Sequence, residues 1–290
     1  MIHRVLPETP VQDPAKASRW SPAPLIRVSF WWHIAGVLSL IAYPMTWPWV
    51  IAALLGNHVV LGVIGMWPRS RLLGPNLVRL PAAAARRGEV ALTFDDGPDP
   101  EVTPQVLDLL DHAGAKASFF CLGARAAAHP EIVRDMVRRG HSVENHSHRH
   151  PNTFACYGLR ALRREIEAAQ KAIAEATGRR PAFFRAPIGL RSPLLDPVLA
   201  RTGLRYVSWT RRGYDAVRAD AAGVLRRLTR GLAAGDVLLL HDGSSARTSG
   251  GQPVVLQVLP ALLEQVAAQG LKAVTLPAAL DDESKLQDAG

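Results

Sequence analysis

The sequence predicts an α/β protein built on a parallel sheet and preceded by an apolar helical hairpin. Three observations carry that expectation. Seven short apolar runs alternate with amphipathic helical stretches over residues 89–277. Two long apolar stretches without Lys, Arg, Asp or Glu lie between residues 25 and 68. The unusual polar residues cluster just after the apolar runs. The implied organisation is a flexible tail over 1–24, a membrane-associated hairpin over 25–68, a linker over 69–87, a main domain over 88–280 and a C-terminal tail over 281–290.

The first 24 residues contain five prolines and no periodic pattern, which suits a tail better than the start of a signal peptide. One apolar stretch then runs from about Val28 to Tyr43, and it lengthens if Leu25 and Ile26 are counted across Arg27. The other runs from about Trp47 to Trp67. Spanning a bilayer takes roughly 20 helical residues, and the second stretch is long enough. Trp31, Trp32, Trp47, Trp49 and Trp67 lie where interfacial rings belong. Pro44 and Pro48 favour a turn between the stretches. Asn57 and His58 count against a clean span, since polar groups in hydrocarbon are costly. The plainer alternative is a pair of apolar helices packed on the following domain.

The net charge is +9, and its location matters more than its size. Residues 1–88 hold nine Lys/Arg against Glu8 and Asp13, leaving only +2 for the other 202 residues. Basic residues bracketing an apolar hairpin place both ends on the cytoplasmic side of a bacterial inner membrane, beside membrane lipid. A nucleic-acid partner is not expected, because the basic excess does not stripe the main domain. Cys121 and Cys156 form neither a disulfide framework nor a CxxC zinc motif.

The strand-like runs are Val90–Phe94, Ala117–Cys121, Ser142–Asn145, Ala182–Arg185, Arg205–Ser208, Val237–Leu240 and Lys272–Leu276. Helical patterns occupy Val102–His112, Leu159–Thr177, Leu194–Thr202 and Val254–Gln269. Gly178, Gly203 and Gly270 stand where left-handed caps end helices. Such a run of elements either closes as a (β/α) barrel or stays open as a doubly wound sheet.

Thr93-Phe94-Asp95-Asp96-Gly97-Pro98 follows the first strand, His146-Ser147-His148-Arg149-His150 the third and Arg185-Ala186-Pro187-Ile188-Gly189 the fourth. Trp209 through Asp215 follow the fifth and His241-Asp242-Gly243 the sixth. The carboxyl ends of the strands build the site in barrels and open sheets alike. Adjacent aspartates repel, so Asp95-Asp96 asks for a cation or a proton-transfer role; a capping turn is the bland reading. His146 and His150, four apart, present two imidazoles on one side of a turn, a spacing zinc sites use; a histidine-rich surface loop is the alternative. His148 would point away from them. Two histidines and one carboxylate leave coordination positions for water and substrate. The other aspartate can then act as a base, and His241 can protonate a leaving amine.

These ordered motifs resemble the polysaccharide deacetylase family, also called carbohydrate esterase family 4 or the NodB homology family, over about residues 88–277. The resemblance implies a distorted seven-stranded (β/α) barrel and metal-dependent hydrolysis of an N-acyl amide on an amino sugar. It implies Asp95 as base, Asp96, His146 and His150 as metal ligands, Arg185 as the residue orienting the base and His241 as acid. The implied metal is a divalent ion, usually Zn2+. Substrate contacts would come from Pro187, Ile188, Gly189, Trp209 and Tyr214, with the backbone N–H at Ile188 facing the oxyanion. Two departures stand out. Ile188 replaces the usual aromatic of its motif, and the fourth motif lacks its usual Asp-Trp ending, which leaves Asp215 as the candidate carboxylate behind His241.

The hairpin has no counterpart in the family's shared domain and suggests a substrate at the bilayer, such as a lipid-linked amino sugar. Arg191, Arg211 and Arg212 add charge near the expected mouth; they read either as solvated surface or as contacts to a phosphate or other anion. The competing reading of the domain is a catalytically silent carbohydrate-binding module.

Overall fold

The computed structural model describes residues 20–287. Most of the tail expected over 1–24, and residues 288–290, lie outside the described residues. Two helices come first, α1 (Pro24–Ala42) and α2 (Trp47–Gly65), joined by a 3-10 turn over Pro44–Thr46. Pro24 and Pro48 sit in first turns, where a missing N–H costs nothing. Both helices are apolar on every side and, with the turn, are long enough to cross a membrane by length and composition. Their large side chains, Trp31, Ile41, Trp49 and Leu55 among them, are mostly exposed. The polar residues that counted against a span meet in the seam between the helices. Asn57 donates to Ser29 Oγ at 2.8 Å, and the rings of His33 and His58 meet edge-on at 5.2 Å. Pairing of this kind is how polar groups are satisfied between apolar helices.

The strands are β1 (Glu89–Asp95), β2 (Ala117–Cys121), β3 (Ser142–Asn145), β4 (Phe183–Phe184), β5 (Arg205–Tyr206), β6 (Arg211–Arg212), β7 (Val237–His241) and β8 (Lys272–Ala273). They form one sheet in the order β5-β4-β3-β2-β1-β7-β6, with β8 joined to the start of β1. Every pairing is parallel. The result is a curled seven-strand half-barrel wrapped in helices, the distorted barrel that the sequence implies. The seventh strand of the curl is not one of the seven predicted from sequence. Arg211-Arg212 has no apolar alternation and becomes β6 only by pairing with Leu238 and Leu239 of β7.

Period-two alternation sorts the side chains of the central strands. Val90, Leu92 and Phe94 of β1, with Leu238 and Leu240 of β7, face the outer helices and join the main core. There they pack with residues of helices Thr103–His112 and Val254–Ala268. Ala91, Phe120, Val237 and Leu239 belong to a second, inner cluster. By the same alternation Thr93, Asp95 and His241 fall on the inner face. The helix Leu159–Thr177 ends at Gly178 and Leu195–Thr202 ends at Gly203, each glycine at φ near +70°.

Two segments differ from the sequence reading. The stretch expected as a linker over 69–87 is bonded into the domain. Leu77 bridges to Val207 beyond β5, and the Leu80 N–H donates to Gly235 O ahead of β7. Asn76 ties this stretch down by donating to Pro68 O and Ser70 O and accepting from Ser208 Oγ. A polar, irregular stretch of this kind has no periodicity to reveal its pairing. The last helix, Leu276–Gln287, runs past residue 280, where the C-terminal tail was expected to begin. Leu276, Ala279 and Leu280, at helical spacing, anchor it on the inner cluster.

Candidate metal and catalytic site

The register of the sheet brings the site together. Asp95 at the end of β1 lies directly beside His241 at the end of β7. Asn145, the last residue of β3, pairs with Phe184, which delivers Arg185 one residue later. Asp95, Asp96, His146, His150, Ile188, Gly189, Trp209 and His241 line a single cleft there, with Arg212, Ala216 and Leu239. Arg185 and Asp215 sit behind the cleft wall and reach it through their partners. Pro187 and Tyr214 do not line it: Pro187 is buried, and Tyr214 reaches it only through Arg212, whose guanidinium lies over its ring.

Asp96, His146 and His150 offer ligand atoms that lie within 4.8 Å of one another. Asp96 Oδ1 is 3.3 Å from His146 Nε2 and 3.5 Å from His150 Nε2. His146 Nδ1 donates to Arg185 O at 2.9 Å, which leaves Nε2 facing the carboxylate. Asp96 Oδ1 is buried without a hydrogen-bond partner among the described residues. A buried carboxylate oxygen facing two imidazole nitrogens fits a divalent cation.

The electrostatics agree. Burial pushes the Asp96 carboxyl up, but the neighbouring imidazoles of His146, His241 and His150 outweigh it and hold the group far below the usual carboxylate range. Burial also works against charge on His146, yet the Asp95 and Asp96 carboxylates raise its pKa. Burial, then the His146 charge, lowers that of His150.

Backbone shape is unusual in these loops. Asp96, Ser147, His150, Ile188 and Tyr214 all have positive φ. Non-glycine residues adopt that region at a cost and cluster where function requires it. Several groups hold the loops in place. Arg125 donates to Asp96 O and Gly243 O, clamping the ends of β1 and β7 together. A Cβ at Gly243 would sit 2.1 Å from Asp96 O, so only glycine permits this approach. Asn145 Oδ1 accepts from Ser147 N, Ser147 Oγ accepts from His150 N, and Glu165 accepts from the amides of His148 and Arg149. Sequence reasoning missed Arg125, Ser147 and Glu165. Asn145 two residues before Ser147 carries a legible Asx-turn signal, whereas Arg125 and Glu165 come from separate helices with none.

Arg185 is fully buried. It donates to Asp95 Oδ1 at 2.6 Å, Thr93 Oγ1 at 2.9 Å and Ser208 O at 3.1 Å, and it lies 4.1 Å over the Phe120 ring. Asp95 Oδ1 is thereby engaged, while Oδ2 faces the imidazoles, 3.9 Å from His146 Nε2. His241 Nδ1 donates to Asp215 Oδ1 at 2.9 Å, and the His241 amide donates to Asp215 Oδ2 at 2.6 Å. Burial alone would lower the His241 pKa. The Asp215 carboxylate and its hydrogen bond, with Asp95 and Asp96, instead raise it to about 9.

The charges expected near the mouth divide. Arg191 is buried, donates to Gly74 O and Asp196, and stacks on Tyr206. Arg211 pairs with Asp236 and with the carbonyls of Arg230 and Gly231. Of the three, only Arg212 lines the cleft. His148 faces a neighbouring depression shared with Arg125, Arg149 and Ser244.

Fold and site together define an α/β half-barrel with a candidate metal centre, base and acid at its carboxyl rim. A family model described as polysaccharide deacetylase matches residues 82–207. A chitooligosaccharide deacetylase of Sinorhizobium fredii is 36% identical over 57% of this chain and 76% of its own length. A peptidoglycan-N-acetylglucosamine deacetylase of Bacillus cereus is 30% identical over 64% of this chain and 85% of its own. Among solved structures, a family 4 carbohydrate esterase from Streptomyces lividans in complex with acetate superposes with a TM-score of 0.58. It is 35% identical and covers 64% of this chain and 91% of its own. The chain belongs to the polysaccharide deacetylase family.

A CE4 family pseudoenzyme from Bacillus anthracis also superposes, with a TM-score of 0.62 at 22% identity over 71% of this chain and 68% of its own. That likeness shows the fold alone.

Proposed function

We propose that this protein is a metal-dependent N-deacetylase acting on an acylated amino sugar. The observation that carries the reading is the placement of Asp95 and His241 side by side at the triad of Asp96, His146 and His150. The related deacetylases act on chitooligosaccharides and peptidoglycan N-acetylglucosamine by their names, which supports the same bond as the target here.

Asp96, His146 and His150 would hold the divalent ion, and their ligand chemistry suits Zn2+. When bound, such an ion supplies a Lewis acid that acidifies water and polarises an amide carbonyl. Asp95 takes the proton of the attacking water through the oxygen not engaged by Arg185. Arg185 fixes the rotamer of that carboxylate through its bond to Oδ1. The backbone at Ile188, which lines the same cleft, is the proposed donor to the developing oxyanion. His241, protonated near neutrality, gives its proton from Nε2 to the departing nitrogen while Asp215 holds Nδ1. The C–N bond breaks, the carbonyl carbon keeps the water oxygen, and a carboxylate and an amine leave. Gly189 passes close beneath Trp209, since a Cβ there would meet the ring at 2.5 Å. Trp209 and Tyr214 would shape the sugar site.

The hairpin inserts in a bacterial inner membrane, with basic residues on both flanks favouring a cytoplasmic domain. A substrate presented at the membrane surface, such as a lipid-linked amino sugar, suits that placement. Mass spectrometry of N-acetylated sugars incubated with zinc-loaded protein tests the reaction. Loss of the acetyl group supports it, and unchanged mass across acetylated and formylated amino sugars, soluble and lipid-linked, overturns it.

A further inference from the structure

Arg212 is a cation in the cleft that the reaction does not use. Its guanidinium carbon lies 5.2 Å from the Trp209 ring centre and 4.9 Å from that of Tyr214, so the rings hold it in place. Its Nε is buried with no hydrogen-bond partner, and no salt bridge to it is formed among the described residues. The other charges nearby are committed. Asp95 is paired with Arg185, Asp215 with His241, and Asp236 with Arg79 and Arg211. A guanidinium braced by two aromatic rings, its buried Nε unpartnered and its fork partly exposed to the cleft, favours a counter-charge, and its planar geometry matches phosphate oxygens.

On the proposed membrane placement, the hairpin sets this part of the cleft beside the bilayer. Gly65, the last residue of α2, accepts from the Arg191 N–H at 3.0 Å, and a Cβ at Gly65 would lie 2.5 Å from Arg191 O. Arg69, four residues on, donates to Thr210 O. Trp20, ahead of α1, donates to Asp196 at 2.9 Å. The two cleft walls, 187–191 and 209–212, are therefore both fastened to chain that flanks the hairpin. Trp67 and Ile188, 63% and 45% exposed, present apolar surface on that chain and on one of those walls.

We propose that Arg212 is a phosphate-binding residue, and that the acylated sugar carries a phosphate, as a sugar phosphate or through a phosphate link to lipid. The inference rests on the deacetylase reading and specifies the substrate of that site. The test compares three probes: the methyl glycoside of N-acetylglucosamine, N-acetylglucosamine 1-phosphate, and N-acetylglucosamine on polyprenyl phosphate in phosphatidylcholine vesicles. The parent protein is expected to favour a phosphate-bearing probe over the glycoside by roughly tenfold or more in kcat/KM, chiefly through KM. Preference for the vesicle probe over the soluble phosphate assigns the lipid source, and the reverse assigns the free one. Arg212→Gln should erase the preference and Arg212→Lys should restore part of it, with thermal melts confirming that both variants fold. A preference that survives Arg212→Gln, or a parent protein that deacetylates the glycoside equally well, overturns the assignment while leaving the deacetylase reading intact. A parent protein inert on all three overturns the assignment, and the deacetylase reading falls with it only if the wider panel of acetylated and formylated amino sugars is also left unchanged.

Discussion

Asp95 and His241 are register neighbours on two adjacent parallel strands, the last residues of β1 and β7. Because parallel pairing is set along the whole strand, the spacing between the proposed base and acid is fixed by the most deeply buried part of the sheet. Asp95→Asn keeps the shape and the bond from Arg185 but cannot accept a proton. It should lower kcat by about 10²–10⁴. Metal content, read by inductively coupled plasma mass spectrometry, should stay at one ion per chain. Loss of the metal along with the activity would contradict the division of labour between Asp95 and Asp96.

The Asp215 carboxylate favours the charged form of His241. With the pKa raised to about 9, the ring holds its proton at neutral pH and loses it as pH rises through that value. Asp215→Asn should therefore move the alkaline limb of the pH–rate profile toward lower pH, in the direction of an ordinary histidine. NMR titration of His241 in metal-free protein should show the same fall. An unmoved limb would mean that Asp215 is only structural.

Glu144 is buried and accepts from the amides of Ala182 and Phe183 at 3.0 and 2.9 Å. Burial pushes its pKa up to about 7, despite those hydrogen bonds. Its folded-state pKa lies above the unfolded value, so the native state binds the extra proton and loses stability as pH rises from about 4.5 to 7. Glu144→Gln keeps the acceptor and removes the titration. Its stability relative to the parent should improve between pH 5 and pH 8, by up to about 3 kcal/mol. Denaturant melts at the two pH values measure this, and a difference independent of pH would contradict it.

Cys156 is exposed and Cys121 is buried. A membrane-impermeant maleimide should label Cys156 in inverted inner-membrane vesicles and not in intact spheroplasts, if both ends of the hairpin face the cytoplasm. The opposite pattern would place the domain outside, and labelling of soluble protein in both preparations would remove the hairpin from the membrane.

Much of this was legible in the sequence because the strands that carry the chemistry are the apolar ones. Val90–Phe94 and Val237–Leu240 announce themselves by composition, and Asp95-Asp96 and His241 follow each without a break. The parts that escaped notice have no such signal. β6 is two arginines made into a strand by its neighbour. Leu77 pairs from inside a proline-rich stretch. Arg125 closes the loops from a short helix after β2, and nothing at position 125 distinguishes it from a surface arginine. The division among Arg191, Arg211 and Arg212 was likewise invisible, because it depends on which carboxylates and carbonyls the fold sets beside each.

The most direct test of the account is a crystal structure of zinc-loaded protein with anomalous data at the metal edge. One peak should lie about 2.0–2.2 Å from Asp96 Oδ1 and from Nε2 of both His146 and His150, with Asp95 and His241 outside the ligand sphere. A peak bound elsewhere, or zinc-loaded crystals with no peak between these three side chains, would contradict it.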